Sequence, residues 1–503
     1  MKQIAGDTAT GSPAAAPALR PHVAVARGKR AMLGLGWSAL NTGSAVLISI
    51  LVFVVTSRLM GPEEFGIVAL AISIIALIGC LTPGGFGEAI IQRAEINDAH
   101  LDTVFWICMG TGLAVSVPTV VFAGAMADWI GEPILALLLP FLAVKILLDL
   151  AAVVPQALVI RAMQFKYVAA RTAIGNSFGG IVCVAMALQG YGLWALAAAP
   201  VITSVVSLAI LVRSARWRPG FQVRLAALRD LLRFGLYASG ANALYLLNAD
   251  RLVLGLVAGP ATLGLYYLGR KLYDLLSSLI SGALWPVTTV FFASTQKETG
   301  THVRAFRNVL RGSAMITFPV FGGLYAVADS AVPMLLGGHW EPALPAVKAF
   351  AVLGIFGGLM LPAAALANGL GRSDLNFTLD TARNLLAVGA ILLAFQAGLQ
   401  AIMTMLIFAH ALVLPASFLV ARKLTGIPLT TYLEALSVPL LSALVMLVAI
   451  NAVPWMLPAA TAWTVLLLQI SFGALVYISL TLVLSGREIT ELRKTFAKEA
   501  AHD

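Results

Sequence analysis

Long apolar segments make up most of the chain, and this feature limits it to one class of fold. Runs of 18 to 28 mostly apolar residues alternate with short polar connections between residues 33 and 484. Lipid cannot hydrogen-bond a peptide backbone, so such runs must form helices, and about 20 apolar residues are enough to cross a bilayer. Only 11% of the residues are charged, against roughly 25% in soluble domains. The sequence therefore predicts an all-α membrane protein.

We predict about 14 transmembrane helices with both termini in the cytoplasm. The predicted spans cover residues 33–56, 66–91, 103–126, 133–158, 168–188, 191–212, 232–257, 262–290, 308–328, 344–368, 374–395, 398–420, 433–453 and 461–484. Their connections alternate in charge, and the set that includes both termini holds 26 of the 33 Lys and Arg residues. Because cytoplasmic connections are the basic ones, this set is predicted to face the cytoplasm at a bacterial inner membrane.

A short motif occurs twice at equivalent places in the chain. Residues 61–67 read GPEEFGI, and residues 259–265, which lie 198 positions later, read GPATLGL. Both copies join an outgoing helix to a returning one, so the repeat is parallel, as in several families of transporters. We predict two six-helix lobes followed by two extra helices. The predicted units are a disordered basic cytoplasmic tail (1–30), an N-lobe (31–228), a C-lobe (229–425), two further helices (426–486) and a cytoplasmic tail (487–503).

Other classes of function are not favoured by the sequence. The net charge is +10, but the basic residues lie between apolar runs rather than on one soluble face, which argues against nucleic acid as a partner. Cys80, Cys108 and Cys183 lie in apolar runs without the spacing of a disulfide or a metal site. No phosphate-binding loop, zinc motif or nucleophile motif occurs. We therefore expect neither an enzyme nor a cofactor.

Charged residues within the apolar runs define the candidate site, because a charge in hydrocarbon is costly and is usually functional. Span eight carries a polar stripe at helical spacing, which cannot face lipid. The candidate substrate-binding residues are Arg58, Arg251, Arg270, Lys271, Asp274 and Arg383. They predict a hydrated, net-positive cavity in the outer half of the C-lobe. Such a cavity suits an anionic solute, because Arg presents a planar fork that matches phosphate.

Internal ion pairing is the alternative interpretation of the same charges. Arg270 and Asp274 are four residues apart on one helix, as are Lys145 and Asp149, and such pairs face each other. For Lys145 and Asp149 the structural pair is the favoured interpretation. For Arg251, Arg270 and Lys271 the excess of cations favours substrate binding. Aromatic neighbours such as Trp285 could stack on sugar rings or simply pack.

Three segments resemble one transporter family. They are residues 57–66 (SRLMGPEEFG), residues 155–166 (PQALVIRAMQFK) and residues 248–255 (NADRLVLG), the last running on to Gly264, Leu265 and Tyr266. In these segments the chain is similar to the Wzx-type polysaccharide transporters, a branch of the MOP flippase superfamily. The resemblance spans roughly residues 30–420 and departs from the family pattern at the Arg270–Lys271 pair.

The resemblance implies a V-shaped pair of six-helix lobes around a central cavity, with alternating access. It implies a flippase that moves a glycan linked to undecaprenyl pyrophosphate from the cytoplasmic to the periplasmic face, for exopolysaccharide or O-antigen biosynthesis. A polysaccharide polymerase and a chain-length regulator are the candidate protein partners. Two other functions remain open, namely a multidrug exporter of the same superfamily and a membrane-embedded polysaccharide polymerase or ligase.

Overall fold

The computed structural model describes residues 46, 48–93, 95–224, 249–294, 302–457 and 460–499, and within these ranges the fold is helical with no strands. The helices of the first half are α1 (Ile48–Leu59), α2 (Pro62–Gly79), α3 (Phe86–Gln92), α4 (Asp98–Val121), α5 (Ala123–Ile130), α6 (Leu135–Arg161), α7 (Phe165–Leu188) and α8 (Leu193–Ala215). The helices of the second half are α9 (Ala249–Ser294), α10 (His302–Leu336), α11 (Leu344–Gly369), α12 (Ser373–Ala394), α13 (Leu399–Thr425), α14 (Leu429–Met456) and α15 (Ala462–Glu499).

The predicted all-α membrane class is confirmed, whereas the predicted number of spans is not. Among the described residues, 12 helices are long and apolar enough to cross a membrane. Predicted spans one and seven lie partly outside the described residues, as does the predicted lobe boundary at 228. The predicted tail at 1–30 lies wholly outside them. The count of 14 and the lobe boundaries therefore stay predictions.

Helix ends differ from the predicted spans for identifiable physical reasons. The helix α4 begins at Asp98, before its apolar run, because the Asn97 side chain accepts a hydrogen bond of 3.1 Å from the backbone N–H of His100. The helix α10 extends beyond predicted span nine at both ends, since a basic turn with Arg304 and Arg307 precedes the apolar run and the helix continues past Asp329 to Leu336. Predicted span two is broken between α2 and α3, where Gly84 and Gly85 interrupt the helix.

Gly259 divides α9 into two helical parts at the second copy of the repeated motif. Its φ of 79° and ψ of 169° are non-helical and lie in a region that only glycine adopts freely. The shorter part, which ends before Gly259, and the longer part, which begins at Pro260, therefore meet at a sharp turn. We call the end of the molecule that carries this turn and the connection between α1 and α2 the outer end, following the predicted orientation.

The two copies of the motif pack against each other at the outer end. A Cβ atom placed on Gly66 would overlap the carbonyl oxygen of Pro260, and one on Gly264 would overlap the carbonyl oxygen of Pro62. The contact is thus reciprocal, with each glycine facing the proline of the other copy. Small residues allow helices in a membrane to approach this closely. We call this contact the glycine–proline seam. It joins α2, in the first half of the chain, to α9, in the second.

Substituting Gly66 or Gly264 by Ala should prevent the seam from closing, because the added methyl group would meet backbone atoms that cannot rotate away. The expected result is a longer distance between α2 and α9 at the outer end, measured by electron spin resonance between spin labels in these helices. Gly61→Ala is the matched control, since Gly61 begins the same motif, has φ of −86° and has no atom within 4 Å of an added Cβ. A wild-type distance in both G66A and G264A would contradict this prediction.

Candidate functional site

A polar cavity of about 330 Å³ lies among the helices of the second half of the chain. Its polar wall comes from α9, through Ser277 and Ser281, and from α12, through Asn376, Asp380 and Arg383. The serines belong to the polar stripe predicted on span eight, which therefore faces the protein interior as expected. We call this space the C-lobe cavity. Of the six candidate residues chosen from the sequence, Arg383 alone lines it in the part of the chain that the structure describes.

The C-lobe cavity lies nearer the inner end than the sequence predicted. At roughly 1.5 Å per residue, Tyr273 and Trp285 lie about 20 and 38 Å along α9 from the outer turn at Pro260. On α12, Asn376 and Arg383 lie within about 15 Å of the inner end of that helix, by the same rise per residue. The charges on which the predicted position depended lie on the outer side of this cavity rather than in it, so a net-positive cavity in the outer half stays a prediction.

The C-lobe cavity combines an aromatic wall with one ion pair. Tyr273 and Phe321 lie with their ring centroids 5.9 Å apart, and Trp285 adds a third ring to the lining. Arg383 Nη2 lies 2.9 Å from Asp380 Oδ1, so these two charges compensate each other. The described lining therefore carries no net charge, in contrast to the net-positive cavity expected. Aromatic faces beside hydroxyl, amide and charged groups suit a hydroxyl-rich solute such as a sugar.

Four other charged residues form a compact network on the outer side of this cavity. Arg270 Nη1 donates to Asp250 Oδ2 at 2.7 Å, and Arg270 Nε donates to Asp274 Oδ1 at 3.0 Å. Arg251 Nη2 donates to the other oxygen of Asp274 at 2.6 Å, and Tyr266 donates its hydroxyl to Asp250 at 2.6 Å. Two guanidinium groups and two carboxylates balance each other. The geometry thus favours the ion-pairing interpretation for Arg251, Arg270 and Asp274.

Arg58 and Lys271 lie apart from the C-lobe cavity. Arg58 donates from Nε to the carbonyl oxygen of Leu335 at 2.7 Å and from Nη2 to that of Met334 at 2.5 Å. It therefore joins α1 to the end of α10, where helix carbonyls have no partner within the helix. Lys271 is half-buried and makes no ion pair with the residues that the structure describes.

The contact made by Arg58 is one of several at the outer end. The indole N–H of Trp340 donates to the carbonyl oxygen of Ser57 at 2.8 Å, and the Phe65 ring packs edge-on against that indole with the centroids 5.3 Å apart. Trp340 is completely buried. Together with the glycine–proline seam, these contacts hold the two halves of the chain together at the outer end. Below the seam, the C-lobe cavity lies toward the inner end.

A second polar cavity, of about 420 Å³, lies among α6, α7 and α8. Lys145 and Asp149 contribute to its lining and form the predicted ion pair. Sequence reasoning did not single out the other polar residues there, among them Gln156, Arg171 and Asn176. Arg171 had been counted only as part of a basic connection. Its position inside predicted span five (168–188), three residues from the start of that span, was the available signal. We call this space the N-lobe cavity.

Arg270→Gln should lower the stability of the protein, because it removes both ion pairs of Arg270 and leaves the Asp250 carboxylate without its direct ion-pair partner. The side chains of Arg270 and Asp250 are 26% and 13% exposed, so we expect a loss of about 2 kcal/mol, below the roughly 3–5 kcal/mol of a fully buried pair. The measurement is the unfolding temperature of the purified protein in detergent, which should fall by several degrees.

Arg372→Gln is the matched control for this measurement, because Arg372 forms its ion pair with Asp374 at the surface and surface pairs contribute little. Its unfolding temperature should equal that of the wild type. A wild-type unfolding temperature for R270Q, together with lost transport, would show instead that Arg270 acts on the substrate.

The fold of this chain is similar to the folds of two kinds of membrane transporter of known structure. The structure titled Lipid II flippase MurJ, inward closed conformation, superposes with a TM-score of 0.72 at 13% identity, over 90% of this chain and 99% of that one. An outward-facing multidrug resistance MATE family transporter of the MOP superfamily superposes with a TM-score of 0.55 at 16% identity, over 78% and 94%. At these identities the likeness shows a shared fold.

Sequence comparison identifies more similar relatives. The succinoglycan biosynthesis transport protein ExoT of Rhizobium meliloti (strain 1021) is 25% identical over 83% of this chain and 85% of its own length. The lipopolysaccharide biosynthesis protein WzxC of Escherichia coli (strain K12) is 25% identical over 73% and 76%. The teichuronic acid biosynthesis protein TuaB of Bacillus subtilis (strain 168) is 24% identical over 82% and 86%.

A family model described as polysaccharide biosynthesis protein matches residues 55–345, which is more than half of the chain. The match includes the three segments that carried the resemblance in the sequence, all the lining residues of the N-lobe cavity, part of the C-lobe cavity, and the glycine–proline seam. The chain therefore belongs to the polysaccharide biosynthesis protein family, in agreement with the Wzx-type resemblance of its sequence and its similarity to WzxC.

Proposed function

We propose that the protein is a flippase for a lipid-linked oligosaccharide. It carries the repeat unit, attached to a polyprenyl pyrophosphate, from the cytoplasmic to the periplasmic face of the inner membrane for exopolysaccharide or O-antigen biosynthesis. Relatives named for the biosynthesis of succinoglycan, lipopolysaccharide and teichuronic acid support this proposal. The fold shared with a lipid II flippase supports it as well.

The observation that carries the proposal is the pairing of a closed outer end with polar cavities deeper in the helices. A charged, hydroxyl-rich headgroup cannot cross hydrocarbon unaided, because its hydration is lost without replacement. Hydroxyl, amide and charged side chains in the two cavities replace part of that hydration, while the lipid tail stays in the bilayer. Opening the glycine–proline seam and closing the inner end would then expose the headgroup on the other face, which is alternating access.

The C-lobe cavity provides the groups that sugar rings need. Tyr273 and Trp285 present aromatic faces against which the C–H face of a sugar can pack, and Asn376 offers both donors and an acceptor to hydroxyl groups. The Asp380–Arg383 pair adds stronger, charge-assisted hydrogen bonds. We assign substrate contact in this lobe to these residues, with Arg383 retained from the sequence-based set.

Two other functions fit less well. A multidrug exporter of organic cations should have an acid-dominated cavity, whereas the described lining of the C-lobe cavity is neutral and that of the N-lobe cavity has more cations than carboxylates. A polymerase or ligase would require a long outer loop for its acceptor. The described outer connections are short, and the six residues of the 3₁₀ helix Gly338–Ala343 form part of one of them. A polymerase and a chain-length regulator are instead candidate partners that receive the delivered unit.

Deleting the gene should cause lipid-linked repeat units to accumulate on the cytoplasmic face, because nothing else would carry the headgroup across. The measurement is the protection of these units from a glycosidase added to the periplasmic side, together with the yield of exported polysaccharide. Re-expression of the wild-type gene should restore export. Normal export by a deletion strain that has no second flippase would overturn the proposed function.

Arg383→Ala should lower export by about tenfold or more at an unchanged protein level, since it removes charge-assisted hydrogen bonds to the substrate worth roughly 1.5–3 kcal/mol. Arg372→Gln, which alters a surface cation outside the cavity, should export normally. Full export by R383A would show that the C-lobe cavity is not the substrate site, even if the deletion result stands.

A further inference from the structure

The N-lobe cavity is polar on three sides. Its wall comes from α6, α7 and α8, and its volume of about 420 Å³ falls within the roughly 300–1,000 Å³ of ligand pockets. The polar lining residues are Lys145, Asp149, Gln156, Arg171, Thr172, Asn176, Thr203, Ser204 and Ser207. None of the described lining residues is aromatic, so this cavity differs in chemistry from the C-lobe cavity.

The carboxylate of Asp149 is already occupied. It accepts from the Lys145 ammonium on the preceding turn of α6 and from Ser204 Oγ, across the cavity wall on α8, at 2.7 Å. One cation and one anion in the wall therefore compensate each other. This pair cannot by itself attract a charged ligand.

Arg171 is the remaining charge in the N-lobe cavity. It forms no ion pair with the described residues, and its Nε–H is shielded from solvent without a hydrogen-bond acceptor. A shielded N–H without an acceptor is destabilising by roughly 1–3 kcal/mol, and such groups are rare in folded proteins. The two cations and one carboxylate of the lining leave a charge of +1. This excess positive charge, on the one cation of the described lining that has no ion pair, favours an anionic ligand.

Three neutral side chains that line the cavity with Arg171 also have hydrogen-bonding groups that a ligand can use. Gln156, Asn176 and Ser207 line the cavity and make no side-chain hydrogen bonds to residues in the described ranges. By contrast, Thr203 donates to the carbonyl oxygen of Gly175 at 3.2 Å and Thr172 to that of Val168 at 3.1 Å. Amide and hydroxyl groups both donate and accept, as sugar hydroxyl groups do.

We propose that the N-lobe cavity binds a carboxylated sugar residue of the transported glycan. The Arg171 guanidinium receives the carboxylate, and Gln156, Asn176 and Ser207 bind the ring hydroxyl groups. This assignment rests on the proposed function and names its substrate class as an acidic glycan. The net charge of +1, which already includes Asp149, matches the single negative charge of a carboxylate, whereas pyrophosphate carries at least two.

The test uses the full-length protein in lipid nanodiscs and ligand-observed NMR with three probes: glucuronate, glucose and inorganic pyrophosphate. We expect glucuronate to bind with a Kd of about 1 mM, as suits a ligand of monosaccharide size, and glucose at least about tenfold more weakly because it lacks the charge-assisted bonds. Arg171→Gln should weaken glucuronate binding by about tenfold or more. Arg171→Lys should bind glucuronate with an affinity between those of the wild type and R171Q, because it keeps the charge but loses the planar fork.

Arg213→Gln is the matched control, because Arg213 is an exposed cation on α8, toward its inner end and outside the cavity lining. It should bind glucuronate like the wild type. If gel filtration shows that R171Q is misfolded, Asn176→Ala provides the same test without a change of charge. This variant should weaken glucuronate binding several-fold.

Equal binding of glucuronate and glucose would overturn the proposal, as would wild-type glucuronate affinity in R171Q or, in its place, in N176A. Pyrophosphate binding that depends on Arg171, without glucuronate binding, would also overturn it and would assign the cavity to the lipid carrier. These results are distinguishable from failure of the proposed function. Export by the deletion strain is measured in cells and does not depend on any of the three probes.

Discussion

Every backbone N–H and C=O group that lies in hydrocarbon must find its partner inside its own helix, because lipid offers none. Most of the structure depends on this requirement. It forces the apolar runs into helices, and it leaves few places where the chain can turn or break within the membrane. Those places are therefore informative. Gly259 turns the chain within α9, and the break at Gly84 and Gly85 separates α2 from α3.

The same requirement explains which features could be predicted from the sequence. Helices appear as apolar runs, so their existence and order were readable, whereas their polar ends were not, as the extra turns of α10 illustrate. The serine stripe at Ser277 and Ser281 was readable because its spacing has the period of one helix. The repeated motif was also visible in the sequence. The contact of Gly66 with Pro260 could not be predicted from it. That contact depends on how α2 and α9 pack against each other, and a local sequence pattern does not indicate this.

The candidate site was predicted less well for a related reason. The pairing of Arg270 with Asp274 follows from their spacing on one helix, but the pairing of Arg270 with Asp250 crosses the turn at Gly259. Without that second partner, Arg270 looked like an excess cation available to a substrate. For Arg171 the error was the reverse, because this cavity-lining cation was not predicted as a site residue. It resembled an ordinary basic residue of a connection, although the structure places it in a cavity wall without an ion-pair partner in the described ranges.

In the predicted repeat, α6 of the N-lobe cavity corresponds to α11 of the C-lobe cavity, and the two helices carry different side chains. Lys145 and Asp149 follow the start of α6 at the same distance in sequence as Gly354 and Gly358 follow the start of α11. On α11, a Cβ atom at Gly354 would overlap the Phe321 ring, so the missing side chain is what admits an aromatic wall. On α6, the same positions carry an ion pair, and the wall is charged. At these positions the α11 wall is aromatic and the α6 wall is ionic, and Arg171 on α7 adds a cation that has no ion pair within the described ranges. A flippase with this division could hold a neutral sugar and an acidic sugar of one glycan at the same time.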